Sequence, residues 1–197
     1  ALDLDASLRA PHEVQWDRTI EVPYAPETPK SGIDHPDFIS VCWYRRTFAL
    51  PALPDGHRVI LHFGAVDHRA TVWVDRVHVA EHEGGYTPFE IDLSSFLDDG
   101  PSHTIIVRVV DEPGELCKPR GKQDWQRQPH AIWYPRTSGI WQTVWLEVVP
   151  ALRVSSLRWT PNLERWEILL HARIVAGGRT DLRLAVKLRH GTNLLCD

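Results

Sequence analysis

Apolar and polar residues alternate with a period of two through most of this chain, and turn residues cut the alternation at short intervals. That period belongs to half-buried β-strands. Trp43–Leu50 (WYRRTFAL) opens the series, Pro51–Gly56 is a turn, and Arg58–Phe63 (RVILHF) runs as a second strand until Gly64 stops it. Arg69–Asp75 and Val77–Glu81 read as a hairpin, with Val72 and Val74 on one face against Thr71, Trp73 and Asp75. Gly84-Gly85 breaks the chain before Tyr86–Leu93, and Ser94–Leu97 is a short turn or helix. Asp98-Asp99-Gly100-Pro101 is a strong turn, followed by the buried strand His103–Asp111. Ile140–Val149 alternates again, with Ile140, Gln142, Val144, Leu146 and Val148 on one face and Trp141 and Trp145 on the other.

Residues 1–42 break this rhythm. Pro11, Pro23, Pro26, Pro29 and Pro36 stud them, and Val22–Pro36 is excluded from a central strand because proline has no ladder donor. This piece is expected to wrap over the surface. Pro150 closes the main series. Beyond it, Val154–Pro161, Trp166–Ile174 and Leu182–Leu188 predict three strands. No amphipathic helix exceeds about ten residues, so the chain reads as all-β, a sandwich or jelly roll. The expected boundaries are 1–150 for the first domain and 151–197 for another. A complete immunoglobulin-like sandwich needs about seven strands, so residues 151–197 read as a truncated one. Its open edges are expected to support a homo-oligomer or a swapped dimer.

Composition narrows the function classes. At 197 residues, 43% hydrophobic and 24% charged, the chain is an ordinary globular one with length for a sizeable core. Its net charge of -4 argues against nucleic acid, whose binding rests on clustered Lys and Arg. No apolar run reaches the roughly 18–20 residues that span a bilayer, and no membrane partner is expected. The acidic, mixed N-terminus is not a signal peptide; the Ala1 start and the lack of Met imply a processed or cut chain. Cys42, Cys117 and Cys196 have no metal-ligand spacing and suit free thiols in the cytoplasm.

The chemistry concentrates in Pro119–Glu147, a loop far longer than the usual 4–6 residues that ends as a strand. Arg120, Lys122, Gln123, Asp124 and Trp125 form a polar cluster beside an aromatic, and Trp133 follows. Sugar sites are built this way: a flat ring stacks on the pyranose while planar polar groups bond its hydroxyls. Asp111, at the handover from strand to loop, reads equally as a site residue and as a turn initiator. His78 and His82 lie four apart, but on a strand that separates them by about 13 Å, so no metal site is expected. Among 26 acidic residues, no spacing singles out the carboxylate pair of a glycosidase. No catalytic residue and no cofactor are assigned.

Four blocks carry a family resemblance. Trp43-Tyr44-Arg45-Arg46-Thr47-Phe48, the strand Ala70–Asp75, His82-Glu83-Gly84-Gly85-Tyr86-Thr87-Pro88-Phe89 and Arg136-Thr137-Ser138-Gly139-Ile140-Trp141-Gln142 together resemble the N-terminal sugar-binding domain of family 2 glycoside hydrolases, the family of β-galactosidases, β-glucuronidases and β-mannosidases. The resemblance implies a galactose-binding-like jelly roll, then an immunoglobulin-like domain, then a (β/α)8 barrel bearing both catalytic glutamates. The chain is expected to stop before that barrel, as a non-catalytic region that contributes to a β-glycoside site in the full-length enzyme. Two departures stand out. The hairpin tip, typically Asn-Gly in the family, reads Asp75-Arg76, and Arg is poorly suited to positive φ, so a longer or different turn is expected. The segment before Arg136 also lacks the acidic metal-binding residue of the best-known β-galactosidases, so no sodium site is implied. The rival readings are a stand-alone carbohydrate-binding module and a protein-interaction sandwich.

Overall fold

The computed structural model of the chain describes residues 1–50, 52–98 and 100–196. Pro51 and Asp99, members of two expected turns, lie outside the described residues. The chain divides into two units, Ala1–Val148 and Val149–Asp197.

In chain order the first strands are β1 (Val41–Phe48), β2 (His57–Phe63), β3 (Val66–Asp67), β4 (Arg69–Val74), β5 (Val77–Glu83), β6 (Phe89–Asp92), β7 (His103–Val110), β8 (Gly139–Ile140) and β9 (Val144–Pro150). An antiparallel sheet of order β1-β7-β4-β5 and a second sheet of order β6-β2-β9 supply the core, while β3 and β8 pair as a two-residue ladder. The period of two fills the core: Cys42 and Tyr44, Val59, Leu61 and Phe63, Ala70, Val72 and Val74, and Ile105, Val107 and Val109 all point inward. Each large aliphatic or aromatic side chain fully buried in this way contributes about 1.5–3 kcal/mol. The outer face of the four-stranded sheet is covered as well. Val14, Val41 and Trp43 form a second apolar cluster there, joined by Leu8, Trp16, Trp73 and Ile106. The N-terminus runs along β1, where Trp43 N–H donates to Ala1 O at 2.8 Å and Asp3 N–H to Val41 O at 2.9 Å. Residues 22–36 form no strand, and their one regular element is a 3₁₀ turn at Pro29–Ser31.

Three expectations are corrected. The β4–β5 connection is not longer than two residues: Asp75 (φ 48°) and Arg76 (φ 73°) both adopt positive φ, as a tight hairpin requires. The Asp75 carboxylate supports this turn. It accepts Thr104 N–H at 2.8 Å and lies 2.6 Å from Nδ1 of buried His103. Next, Ile140–Val149 is not one strand. The ladder stops after Ile140 and resumes at Val144, because the chain crosses tightly over Gly64, whose N–H donates to Thr143 O at 2.9 Å. A Cβ on Gly64 would meet the Gln142 Cβ at 2.8 Å. Trp141 thereby leaves the face it was expected to share with Trp145.

The third correction concerns the second unit. Its strands are β10 (Arg153–Asn162), β11 (Glu167–Val175), β12 (Leu188–His190) and β13 (Asn193–Cys196). They form two separate antiparallel hairpins. Residues 182–187 alternate as a strand should but form none. Alternation only prepares a face, whereas a strand also needs a neighbour for its N–H and C=O groups. Leu157, Trp159, Ile168 and Leu169 are exposed, and Trp166 is 91% exposed.

Candidate functional site

The long loop leaves β7 at Asp111 and returns to the fold at β8. A buried ion network holds it closed. Asp111, Lys118 and Arg136 are only 3%, 9% and 7% exposed. Lys118 Nζ binds the Asp111 carboxylate and also donates to Glu112 O at 2.8 Å. Arg136 reaches the same carboxylate through Nη2 at 2.5 Å and Nε at 3.1 Å. The beginning, middle and end of the loop thus converge on one carboxylate. Breaking such a buried set by removing one partner is strongly destabilising. Asp111 is therefore enclosed and acts as a scaffold for the loop.

Gln123 occupies the centre. Its Oε1 accepts Thr137 N–H at 2.9 Å, and its Nε2 donates to Asp67 at 3.0 Å and to the Tyr86 hydroxyl at 3.4 Å. Asp67 comes from β3, and Tyr86 from the turn after β5. Gly85 makes this approach feasible, since a Cβ there would fall 2.4 Å from Asp67 Oδ1. Trp141, displaced from its expected strand, donates its indole N–H to Gly85 O at 2.8 Å and meets Tyr86 edge-on. Burial and the Asp111 charge raise the Asp67 carboxyl above its ordinary value, and the Gln123 bond offsets part of that.

Asp124 is turned inward. Its carboxylate accepts Gln126 N–H at 2.9 Å and His130 N–H at 2.6 Å, and lies 2.7 Å from the His130 ring. Desolvation pushes its pKa up, but these bonds outweigh it and hold the group below the usual carboxylate range. The staple presents an aromatic surface: Trp125 packs edge-on against both Trp133 (5.4 Å) and His130 (5.1 Å). Trp125 is 43% exposed and Tyr134 62%, leaving ring area free for a ligand. Lys122 is exposed, and its carbonyl accepts Tyr134 N–H at 2.9 Å. Arg120 donates through Nη2 to Glu115 O at 2.8 Å, whereas its buried Nη1 has no partner among the described residues. It lines a cavity with Asp67, Asp111, Lys118 and Gln123 that has room for about one water.

Of the residues singled out from sequence, the structure packs Trp125 against Trp133, gathers Gln123 with Asp67 and Tyr86, and buries Asp111 and Asp124. Sequence reading missed Asp67, Tyr86 and Glu27. A lone acid in the apolar run FGAVDH was the available signal for Asp67. Glu27 had none. It accepts Ser138 N–H at 3.2 Å and the Ser138 hydroxyl, and burial raises its carboxyl above the usual value. Asp37 adds a second tie from the same proline-rich segment, binding Arg127 at 2.8 and 2.5 Å. A larger cavity, about 670 Å³, opens between the two sheets under Trp16–Val22 and is lined by core side chains such as Leu61, Phe63 and Val107. It touches none of the loop residues from Asp111 to Arg136, so it is separate from the polar and aromatic residues of the loop. Among the described residues no three His, Cys, Asp or Glu side chains converge on a metal position.

Comparison with known proteins concerns the family and the fold. Residues 12–150 match the model of the glycosyl hydrolases family 2 sugar binding domain. The chain is similar to the β-galactosidase of Thermoanaerobacter pseudethanolicus, 32% identical over 131 residues, which covers 66% of this chain and 17% of that protein. It is also similar to the β-glucuronidase of Canis lupus familiaris, 28% identical over 212 residues, covering 94% of this chain and 33% of that protein. The chain thus spans a third or less of the length of these curated relatives. In fold it resembles Bifidobacterium dentium β-glucuronidase complexed with coumarin-3-O-glucuronide, with a TM-score of 0.56, 23% identity, and coverage of 73% of this chain and 27% of that one.

Proposed function

The chain belongs to family 2 of the glycosyl hydrolases, whose sugar-binding domain it carries, and from this premise we propose that its long loop is one wall of a composite β-glycoside site. Gln123 and Tyr86 bond sugar hydroxyls, with buried Asp67 holding Gln123 in place, and Trp125 and Trp133 supply the stacking surface. Arg120 and Lys122 flank them as donors, while Asp111 and Asp124 hold the wall in shape. The observation that carries this reading is the Gln123 side chain, fixed at Oε1 by the backbone and shared at Nε2 between an acid and a phenol, two residues before the exposed Trp125. The domains fall at 1–150 for the sugar-binding sandwich and 151–197 for the opening of an immunoglobulin-like one. The full-length enzyme hydrolyses O-glycosidic bonds, with its catalytic carboxylates outside this region. A reducing, cytoplasmic setting suits the free thiols of Cys42, Cys117 and Cys196.

Titration of the ¹⁵N-labelled chain with methyl β-glycosides tests the wall. Binding at millimolar strength or weaker is expected, with shifts at Gln123 and at the Trp125 indole that vanish in Trp125→Ala. Shifts confined to other residues overturn the wall. Affinity much tighter than about millimolar replaces the composite site with a stand-alone binding module.

The exposed apolar residues of the second unit favour a further partner reading. Leu157, Trp159, Ile168 and Leu169 lie on a two-stranded hairpin, so we infer that this hairpin pairs with a second copy, as a homo-oligomer or swapped dimer.

A further inference from the structure

Residues 1–3 form a short antiparallel pair with the outer edge of β1. Leu2 stands opposite Cys42. The Ala1 nitrogen donates to Trp43 O and Trp43 N–H to Ala1 O, both at 2.8 Å, and Asp3 N–H donates to Val41 O at 2.9 Å. The side chains keep the strand alternation: Leu2 packs with the core between the sheets, as Cys42 does, and Ala1 with the outer cluster, as Trp43 does. In an antiparallel ladder the residues that bond across one edge recur at every second position. Val41 and Trp43 use this edge, so the N–H and C=O groups of Arg45 and Thr47 face the same way. The sheet order β1-β7-β4-β5 leaves β1 at the border, and among the described residues no backbone partner meets Arg45 and Thr47 there. Both residues are exposed.

The core is open beside this free edge. The cavity of about 670 Å³ is bordered by Leu2, by Tyr44, Arg46 and Phe48 of β1, and by Phe63 and Leu146 of the second sheet. Close-packed interiors carry few voids larger than a water, so a gap of this size inside a sandwich is room for further side chains. The register supplies them without a break. Continued past the Leu2–Cys42 pair, a strand would place its next three inward positions opposite Tyr44, Arg46 and Phe48, which all line the cavity. The positions between them would exchange N–H and C=O bonds with Arg45 and Thr47. The join at Ala1 suits such a continuation. Burial holds the Ala1 amine below its ordinary value, whereas a peptide N–H at that nitrogen makes the same bond to Trp43 O with no charge to desolvate.

We propose that the free edge of β1 over Tyr44–Phe48 is the docking groove for an extended segment of the same polypeptide that runs directly into Ala1. The segment lies antiparallel to β1, and its alternate apolar residues fill the cavity between the sheets. It meets Ala1 in line, so no loop has to close, which favours this source over a separate peptide or a second copy. Strand addition of this kind draws its strength from main-chain bonds and its selectivity from the pockets under alternate side chains.

The test joins Val-Thr-Val-Thr-Val to the nitrogen of Ala1 and, in a second protein, Thr-Val-Thr-Val-Thr, which turns the apolar residues to the outward side. Amide hydrogen exchange and thermal unfolding of both are compared with those of the chain itself. The first extension should slow exchange at the Arg45 and Thr47 amides about ten-fold or more. It should also raise Tm by about 3–6 °C, and the second extension should do neither. Unchanged exchange at Arg45 and Thr47 in the first protein overturns the groove. Equal effects of the two extensions overturn its register, because apolar length alone then accounts for them. The free peptide acetyl-Val-Thr-Val-Thr-Val-amide at about millimolar concentration should leave both amides unprotected. If it protects them as well as the extension does, the groove belongs to a separate peptide and the assignment to the same polypeptide falls.

Discussion

Glu27 shows how a single residue ties a distant segment to the candidate site. Its half-buried carboxylate accepts the backbone and hydroxyl of Ser138; the neighbouring Thr137 N–H in turn fixes Gln123, and Gln123 holds Asp67. Burial raises the Glu27 pKa in the folded state, so the native chain holds that proton more tightly than the unfolded one. Stability from this group is complete below the ordinary glutamate value and is lost as pH rises through the raised one. Urea unfolding of the wild type between pH 4 and 8 should therefore show a declining component that Glu27→Gln removes. Asp67 contributes a decline of the same sign, so the variant keeps a shallower slope. An unchanged slope would show that Glu27 does not titrate in this way. No sequence pattern announces this role, since Glu27 lies in a proline-rich stretch and meets its partner 111 residues away.

At the scale of elements, alternation predicted most strands of the first unit, because a half-buried strand must show its inner face in the sequence. It misjudged elements whose fate depends on a neighbour. Ile140–Val149 splits because Gly64 brings another backbone against it, and residues 182–187 form no strand. The β4–β5 tip reversed the expectation for a local reason: Asp75 gains His103 and Thr104 as partners, which offsets the strain of two positive φ angles. Two variants separate these effects. Arg76→Gly should stabilise the chain by about 0.5–1 kcal/mol by relieving the left-handed position. Asp75→Ala should destabilise it by about 1–3 kcal/mol, because the donors it met at Thr104 and His103 lose their acceptor. Urea midpoints at neutral pH measure both, and destabilisation by Arg76→Gly would show that its side chain has a role beyond the turn.

For the whole molecule, the second unit carries more apolar surface than two isolated hairpins can cover. Unpaired strand edges recruit other chains. Analytical ultracentrifugation of the chain should show association that strengthens from micromolar to hundred-micromolar concentration. Trp159→Lys with Ile168→Lys should suppress it while leaving the near-ultraviolet circular dichroism of the first unit's tryptophans in place. A monomer across that whole range would remove the pairing of copies.

By itself the sequence determined the all-β class, the core faces of the main strands, the family, and the loop where polar and aromatic residues gather. Each of these is written in local order: a period of two, a turn dipeptide, a motif block, a composition shift. Only the tertiary structure decided which of those residues are buried and which are exposed. Asp111 and Asp124 resemble site residues in the sequence, yet they lie beneath the surface because buried carboxylates must spend their lone pairs on nearby donors. Asp67, Tyr86 and Glu27 join the site from three separate segments, and that convergence depends on sheet order and close backbone approach at Gly85. Such contacts link residues tens of positions apart, so no local pattern records them.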